Sequence, residues 1–251
     1  MADAAHLTPE ARLFDKLERD AFDSDAMARG GAARLSAAGA VLKAQGAVLR
    51  DIRDSRNLGP YIANLTLAAL LFSAAYGAVL GMFQPGLQTL YAAAKLPVVV
   101  LGTALLCTPT FHVFNSVLGS RFTLAQTFGI VILMVSATTL ILIAFAPIAW
   151  FFTVSTGGRG FLVAFHAAVF LVSLGFGMRL LDVAQKYLAR LDAAQRPIHG
   201  GFLRFWSVIV LFVGLQMAYY FRPLLEPGPF WTAERGLFFE VLGPLLGGPA
   251  R

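Results

Sequence analysis

Five stretches of about twenty apolar residues dominate the chain, and each is almost free of charged side chains. The hydrocarbon core of a bilayer is about 30 Å thick, which an α-helix of about 20 residues crosses. A strand is excluded there, because an open sheet edge leaves backbone groups without partners in hydrocarbon. Helical spans are therefore predicted over Tyr61–Phe83, Leu90–Cys107, Phe122–Trp150, Phe161–Leu181 and Phe202–Phe221.

The charged residues are few and unevenly placed. They make up 14% of the chain, whereas soluble domains carry about 25%. Met1–Arg56 holds nine of the basic and nine of the acidic side chains. The net charge of the whole chain is +6. Basic residues placed outside the apolar stretches indicate contact with anionic lipid headgroups, so a lipid bilayer is the expected partner and nucleic acid is not.

These patterns predict an all-α polytopic membrane protein in three parts. Residues 1–57 form a cytoplasmic arm of amphipathic helices, in which Thr8 and Pro9 begin the first helix. Residues 58–222 form the bundle of five transmembrane helices. Residues 223–251 form an extracytoplasmic tail that contains a short amphipathic helix at the membrane interface.

The distribution of Lys and Arg predicts the orientation in the membrane. With a cytoplasmic N-terminus, fifteen basic residues lie on the cytoplasmic side and five on the other. Cytoplasmic loops carry the excess of Lys and Arg. We therefore expect a protein of the bacterial inner (plasma) membrane, with its N-terminus inside and its C-terminus outside.

Polar residues flank the second span. Lys95 is expected near the outer surface, where its long side chain can reach water. Pro109 is expected to end the helix. His112, Asn115 and Arg121 would then line the short connection to the third span, as a candidate cytoplasmic mouth.

Two polar residues in later spans are expected at a similar depth. His166 and Gln216 each lie about six residues from the outer end of a span, which corresponds to roughly 9 Å. Together with Lys95 they are candidates for a pore or a polar layer. The alternative is that such residues are hydrogen-bonding links between helices.

Two patterns are candidates for self-association. Leu35, Leu42 and Leu49 follow a heptad spacing ahead of the first span, which is typical of a short coiled-coil seam. Gly77 and Gly81 form a GxxxG step, which allows close helix packing in membranes. They favour a homo-oligomer, although the arm could lie on the membrane or on its own protein, and the glycines could pack within one subunit.

No catalytic motif is present, so we expect no enzymatic activity, no cofactor and no metal site. No Asp or Glu lies in the predicted spans, which disfavours a proton-coupled transporter. The expected function is that of a homo-oligomeric channel-like protein. The alternative is a scaffold or accessory subunit with partners in a larger membrane complex; an enzyme of lipid chemistry has no residues to support it.

The stretch KLPVVVLGTALLCTPTFHVFNSVLGSRFTLAQTF resembles a recurrent pattern in bacterial multi-span proteins. A polar arm followed by five closely spaced spans is similar to the Yip1-like membrane proteins. The resemblance covers residues 58–221 and implies a compact five-helix bundle with a role in membrane organisation, scaffolding or permeation. It carries no functional residue to this chain.

The orientation can be tested with reporter fusions. A reporter fused after Gly158 should lie outside the cytoplasm, and one fused after Gln195 should lie inside, because the basic residues cluster around the second position. Activity of an alkaline-phosphatase reporter and fluorescence of a green fluorescent reporter would measure the two locations. The opposite pair of results would reverse the orientation.

Overall fold

The computed structural model describes residues 8–19, 45–191, 200–222 and 224–225. In this part of the chain the secondary structure is helical throughout, without strands. The helices are α1 (Pro9–Arg19), α2 (Gln45–Arg53), α3 (Leu58–Gly81), α4 (Leu87–Val117), α5 (Leu124–Ser155), α6 (Arg159–Leu191) and α7 (Gly200–Tyr220).

Helices α3 to α7 are each long and apolar enough to cross a membrane. The prediction of five helices that are able to span a membrane is thereby confirmed. Two helices continue ten residues beyond their predicted ends: α4 continues past Cys107 to Val117, and α6 continues past Leu181 to Leu191. Both extensions lie at the polar ends of the helices, where hydrophobicity gives no signal of where a helix stops.

Helix α4 contains two prolines that do not interrupt it. The expectation that Pro109 ends the helix was wrong, since Pro97 and Pro109 both lie inside α4. Neighbouring helices and local adjustments can satisfy the backbone groups that a proline frees in such bundles. As a consequence His112 and Asn115 lie in the last turns of α4, and Arg121 alone lies in the connection to α5.

Helix α5 forms the centre of the bundle. It packs against α3, α4 and α6, while α7 packs mainly against α4 at the edge. A continuous run of α5, from Ile130 to Thr139, is buried. An all-round apolar helix is stable in such a central position, because every face of it meets another helix.

Helices α3 and α4 approach each other closely, backbone against backbone. A side chain on Gly77 would collide with the carbonyl oxygen of Ala92, and one on Gly81 would lie 2.5 Å from the Cα of Thr89. The glycines therefore let two backbones of the same chain touch. The prediction that Gly77 and Gly81 contact a second copy was wrong, and packing within one subunit is the correct alternative.

The start of α5 is fixed by a capping box. The hydroxyl of Thr123 accepts a hydrogen bond from the backbone N–H of Gln126 (3.2 Å), and the Gln126 side chain accepts one from the backbone N–H of Thr123 (2.8 Å). The amide of Gln126 also donates to the carbonyl of Arg53 (2.6 Å). This cap therefore links the bundle to the end of α2.

Helices α1 and α2 pack on this end of the bundle, which we call the arm end; the opposite end is the far end. Phe14 of α1 stacks on Tyr187 of α6, with ring centroids 6.2 Å apart. Arg50 of α2 donates to the hydroxyl of Tyr187 over 2.9 Å. The described part of the arm therefore lies on its own protein.

This packing corrects the predicted self-association seam. Leu49 is 0% exposed and belongs to the core of the bundle, so it cannot contact a second copy. Its position follows from the apolar face that it shares with Val48 and Ile52, which the bundle covers. Leu35 and Leu42 lie outside the described residues, as do residues 226–251 of the predicted tail.

We predict that Gly77→Ala lowers the free energy of unfolding by about 1–3 kcal/mol, which is the usual cost of overpacking. The added methyl group would meet the backbone of Ala92, which cannot move aside without separating α3 from α4. Thermal unfolding in detergent measures the change.

Gly175→Ala is the matched control, because a side chain at Gly175 meets nothing within 4 Å. Equal melting temperatures for the two variants would show that α3 and α4 do not pack this closely.

Candidate functional site

His166 of α6 is buried at the far end and uses both ring nitrogens. Its Nδ1 lies 3.0 Å from the hydroxyl of Tyr76, and its Nε2 lies 3.2 Å from the hydroxyl of Thr153. The single hydrogen of the Thr153 hydroxyl goes to the carbonyl of Ala149 over 2.7 Å. Thr153 therefore accepts from Nε2–H, and Tyr76 donates to Nδ1 of a neutral imidazole.

These bonds join three helices. Tyr76 belongs to α3, Thr153 to α5 and His166 to α6. The ring of Tyr76 also meets His166 and Phe170 edge-on, with centroids 5.8 and 5.7 Å away. The contacts of His166 therefore agree with the second of the two interpretations given above, in which it is a hydrogen-bonding link between helices.

Lys95 of α4 is completely buried. Its exposed fraction is 0%, and its neighbours on the same face, Ala92 and Leu96, are buried with it. The expectation that Lys95 reaches the outer surface was wrong, because its face of α4 turns toward α3 rather than toward the lipid. The structure therefore places a lysine inside the bundle.

Lys95 lies at the same depth as the Tyr76–His166 pair. Gly77, which follows Tyr76, packs on Ala92, and Lys95 is one turn further along α4. Three residues of an α-helix span about 4.5 Å. We call Tyr76, Lys95, Thr153 and His166 the far-end layer.

Gln216 does not belong to this layer. It lies between Gly214 and Met217 of α7, which face Thr103 and Gly102 of α4. Gly102 is seven residues from Lys95, or about 10 Å along the helix. The prediction that Gln216 shares the depth of His166 was therefore wrong, because α7 packs against the middle of α4.

The buried hydroxyl groups between the two ends bond mostly within their own helices. Thr103 donates to the carbonyl of Val99 and Thr108 to that of Ala104, each over 2.6 Å. An exception is Ser136 of α5, which donates to the carbonyl of Leu65 of α3 over 2.8 Å. The middle of the bundle therefore presents few polar groups that a passing molecule could bind.

The predicted cytoplasmic mouth is not formed as one group. His112 lies 3.0 Å from the hydroxyl of Thr127, through its Nδ1. Asn115 is 1% exposed, whereas Arg121 is on the surface of the connection. His112 and Asn115 are on α4, so the helix continues through the region that was predicted to be a loop.

Polar groups at the arm end are buried without a hydrogen-bond partner among the described residues, and two of them lie on α4 and α7. They are the amide of Asn115, on α4, and the indole nitrogen of Trp206, on α7. Asn115 was predicted as a site residue, but Trp206 was not. No signal in the sequence distinguishes a tryptophan that faces the bundle from one that faces the membrane interface.

Acidic groups are scarce in the spanning helices. Asp182 of α6 is the one carboxylate within α3 to α7, and it pairs with Lys186 over 3.0 Å. In the described part of the chain, no three His, Cys, Asp or Glu side chains come together to hold a metal ion. The expected lack of catalytic, cofactor and metal sites stays a prediction.

A comparison of the chain with protein-family models, curated proteins and solved structures finds no match. The resemblance to Yip1-like proteins stays a prediction, and function has to be inferred from the geometry.

The bond between Tyr76 and His166 can be measured with a double-mutant cycle of Tyr76→Phe and His166→Leu. Interhelical hydrogen bonds in membranes contribute about 0.6 kcal/mol on average and at most about 1.7. We predict a coupling energy in this range, measured by unfolding with a denaturing detergent. The same cycle with Ser173→Ala in place of His166→Leu should give a value near zero, since Ser173 bonds to its own helix. Absence of coupling between Tyr76 and His166 would contradict the assigned bond.

Proposed function

We propose that this protein is a non-enzymatic, channel-like protein of the bacterial inner membrane that passes small anions and rejects cations. Its N-terminus and arm end would lie in the cytoplasm, and its far end outside. The observation that supports this proposal best is the position of Lys95, which is fully buried in a spanning helix.

A buried ionisable group in a membrane helix is costly, and such groups mark ion pathways and binding sites. The ammonium group of Lys95 attracts anions and repels cations. The carboxylate of Asp182 does not compete for it, since it lies near the arm end and pairs with Lys186. A fixed positive charge in a narrow path is a known physical means of excluding cations.

The structure corresponds to a closed state in this proposal. Lys95, Tyr76 and His166 are all buried, and the hydroxyl groups of the middle section bond to their own helices. An apolar constriction closes a channel by excluding water, and we propose that the packed middle section acts in this way. Opening would separate helices, and α7 is suited to move because it packs mainly on α4.

Two of the features that favoured a homo-oligomer, Leu49 and the Gly77–Gly81 step, pack within the chain instead. A path inside one subunit does not require a homo-oligomer. Removal of the whole arm would be a poor test of oligomer formation, because it would also remove core residues such as Val48 and Ile52.

A scaffold or accessory subunit is the second proposal. Helix α7 supports this second proposal, because the face of α7 that points away from α4 carries a row of exposed apolar side chains to which another membrane subunit could bind. These side chains are Phe205, Val208, Phe212 and Leu215. Co-purification of other membrane subunits, together with no ion conduction, would favour this function over the channel.

The channel proposal is tested with the purified protein in planar lipid bilayers under a KCl gradient. The reversal potential gives the ratio of chloride to potassium permeability, which we expect to exceed one. Lys95→Met removes the charge at similar length and should lower that ratio by about tenfold, which corresponds to 1.4 kcal/mol of ion discrimination.

Lys95→Arg should keep the ratio because it keeps the charge. Lys186→Met is the matched control, since Lys186 pairs with Asp182 and is partly exposed. Bilayers that contain the wild-type protein but conduct no better than protein-free ones would refute the channel.

A further inference from the structure

Asn115 of α4 and Trp206 of α7 are both buried at the arm end of the bundle, where these two helices pack against each other. The ring of Phe111 lies 4.5 Å from that of Trp206, and the ring of Phe114 lies 5.5 Å from that of Phe202. Phe111 and Asn115 are one turn apart on α4, as are Phe202 and Trp206 on α7. The two polar side chains therefore lie about one turn, or 5 Å, apart along the bundle.

Both side chains are buried, and neither has a partner among the described residues. Trp206 is 0% exposed and Asn115 1% exposed. The unpartnered atoms are the indole Nε1 of Trp206 and both amide atoms of Asn115. A buried polar group without a hydrogen bond is costly and calls for a bound partner.

The third buried group of this kind is another N–H donor. The Nε2 of Gln185, on α6, also has no partner in the described part of the chain. Its neighbours Ala184 and Leu188 belong to the same buried cluster as Phe111 and Trp206. Asn115, Gln185 and Trp206 together have four unpartnered atoms, of which three are N–H donors and one, Asn115 Oδ1, is an acceptor.

We infer that Asn115 and Trp206 form a second anion-binding site, at the arm end of the bundle. The site suits a small anion of the size of chloride or nitrate, which accepts hydrogen bonds from neutral N–H groups. A water molecule that stays with the anion would donate to Asn115 Oδ1. This inference rests on the proposed function, because it adds a second position on the same path.

The position of the site fits that role. Asn115 is twenty residues from Lys95 on α4, or about 30 Å, which is the thickness of the hydrocarbon core. The two sites would then stand at the two sides of the membrane. A neutral site at one side releases an anion easily, whereas a charged site at the other side selects it.

Thermal unfolding of the full chain in detergent tests the site. Melting temperatures are compared in sodium chloride, sodium nitrate and sodium gluconate at equal ionic strength. Small anions in large excess should raise the melting temperature of the wild type by about 5 °C or more over gluconate. Gluconate is too large for a site between two packed helices.

Trp206→Phe removes the N–H and keeps a ring against Phe111, and Asn115→Leu removes the amide at similar volume. In each variant, chloride or nitrate should raise the melting temperature by less than half as much as in the wild type. Trp150→Phe is the matched control, because Trp150 is 49% exposed, and it should respond like the wild type. In Lys95→Met, part of the rise in melting temperature should persist, because this variant leaves Asn115 and Trp206 unchanged.

Equal responses of Trp206→Phe, Asn115→Leu and the wild type would overturn the inference. So would a melting temperature that does not depend on the anion, which would indicate water only or an empty site. The ratio of chloride to potassium permeability in bilayers tests the proposed function separately. If that ratio stays high while the variants unfold like the wild type, the second site fails and the proposed function stands.

Discussion

The close contact between α3 and α4 is the constraint on which the far end of this bundle depends. Gly77 and Gly81 bring the backbone of α3 against Ala92 and Thr89 of α4. The hydrophobic effect does not drive helices together inside a bilayer, so close packing and hydrogen bonds must hold them. This contact fixes which face of α4 turns inward, and it thereby places Lys95 in the interior at the depth of Tyr76.

The polar groups that this packing buries have two different roles. His166 is fully bonded between Tyr76 and Thr153 and holds three helices together. Lys95 brings an ionisable amine into the same layer, and in the proposed function its positive charge distinguishes anions from cations. At the arm end the neutral N–H groups are buried instead. In the proposed function, the charged layer selects the anion, the neutral layer releases it, and the apolar section between them keeps the path closed.

The sequence was sufficient to predict five helices and their order, because hydrophobic length alone determines a span. It could not predict which way each helix turns. Lys95 was expected in contact with water and Leu49 with a second copy, and both are in the core. The rotation of a helix depends on the partner surface, which no local pattern contains. The same limit applies to Pro109, which ends a helix in water but not in α4.

In the proposed channel, Lys95 is a charged group in a path that water and anions reach. Solid-state NMR of the protein in lipid bilayers can test it directly through the Nζ signal of Lys95. Transfer of polarisation from water protons to that nitrogen shows contact with water, and a change of its shift between chloride and iodide shows contact with the anion. We expect both effects at Lys95, because transient opening of the closed state lets water and anions reach the buried amine. A nitrogen signal that receives nothing from water and is the same in both salts would show that Lys95 only stabilises the helix packing.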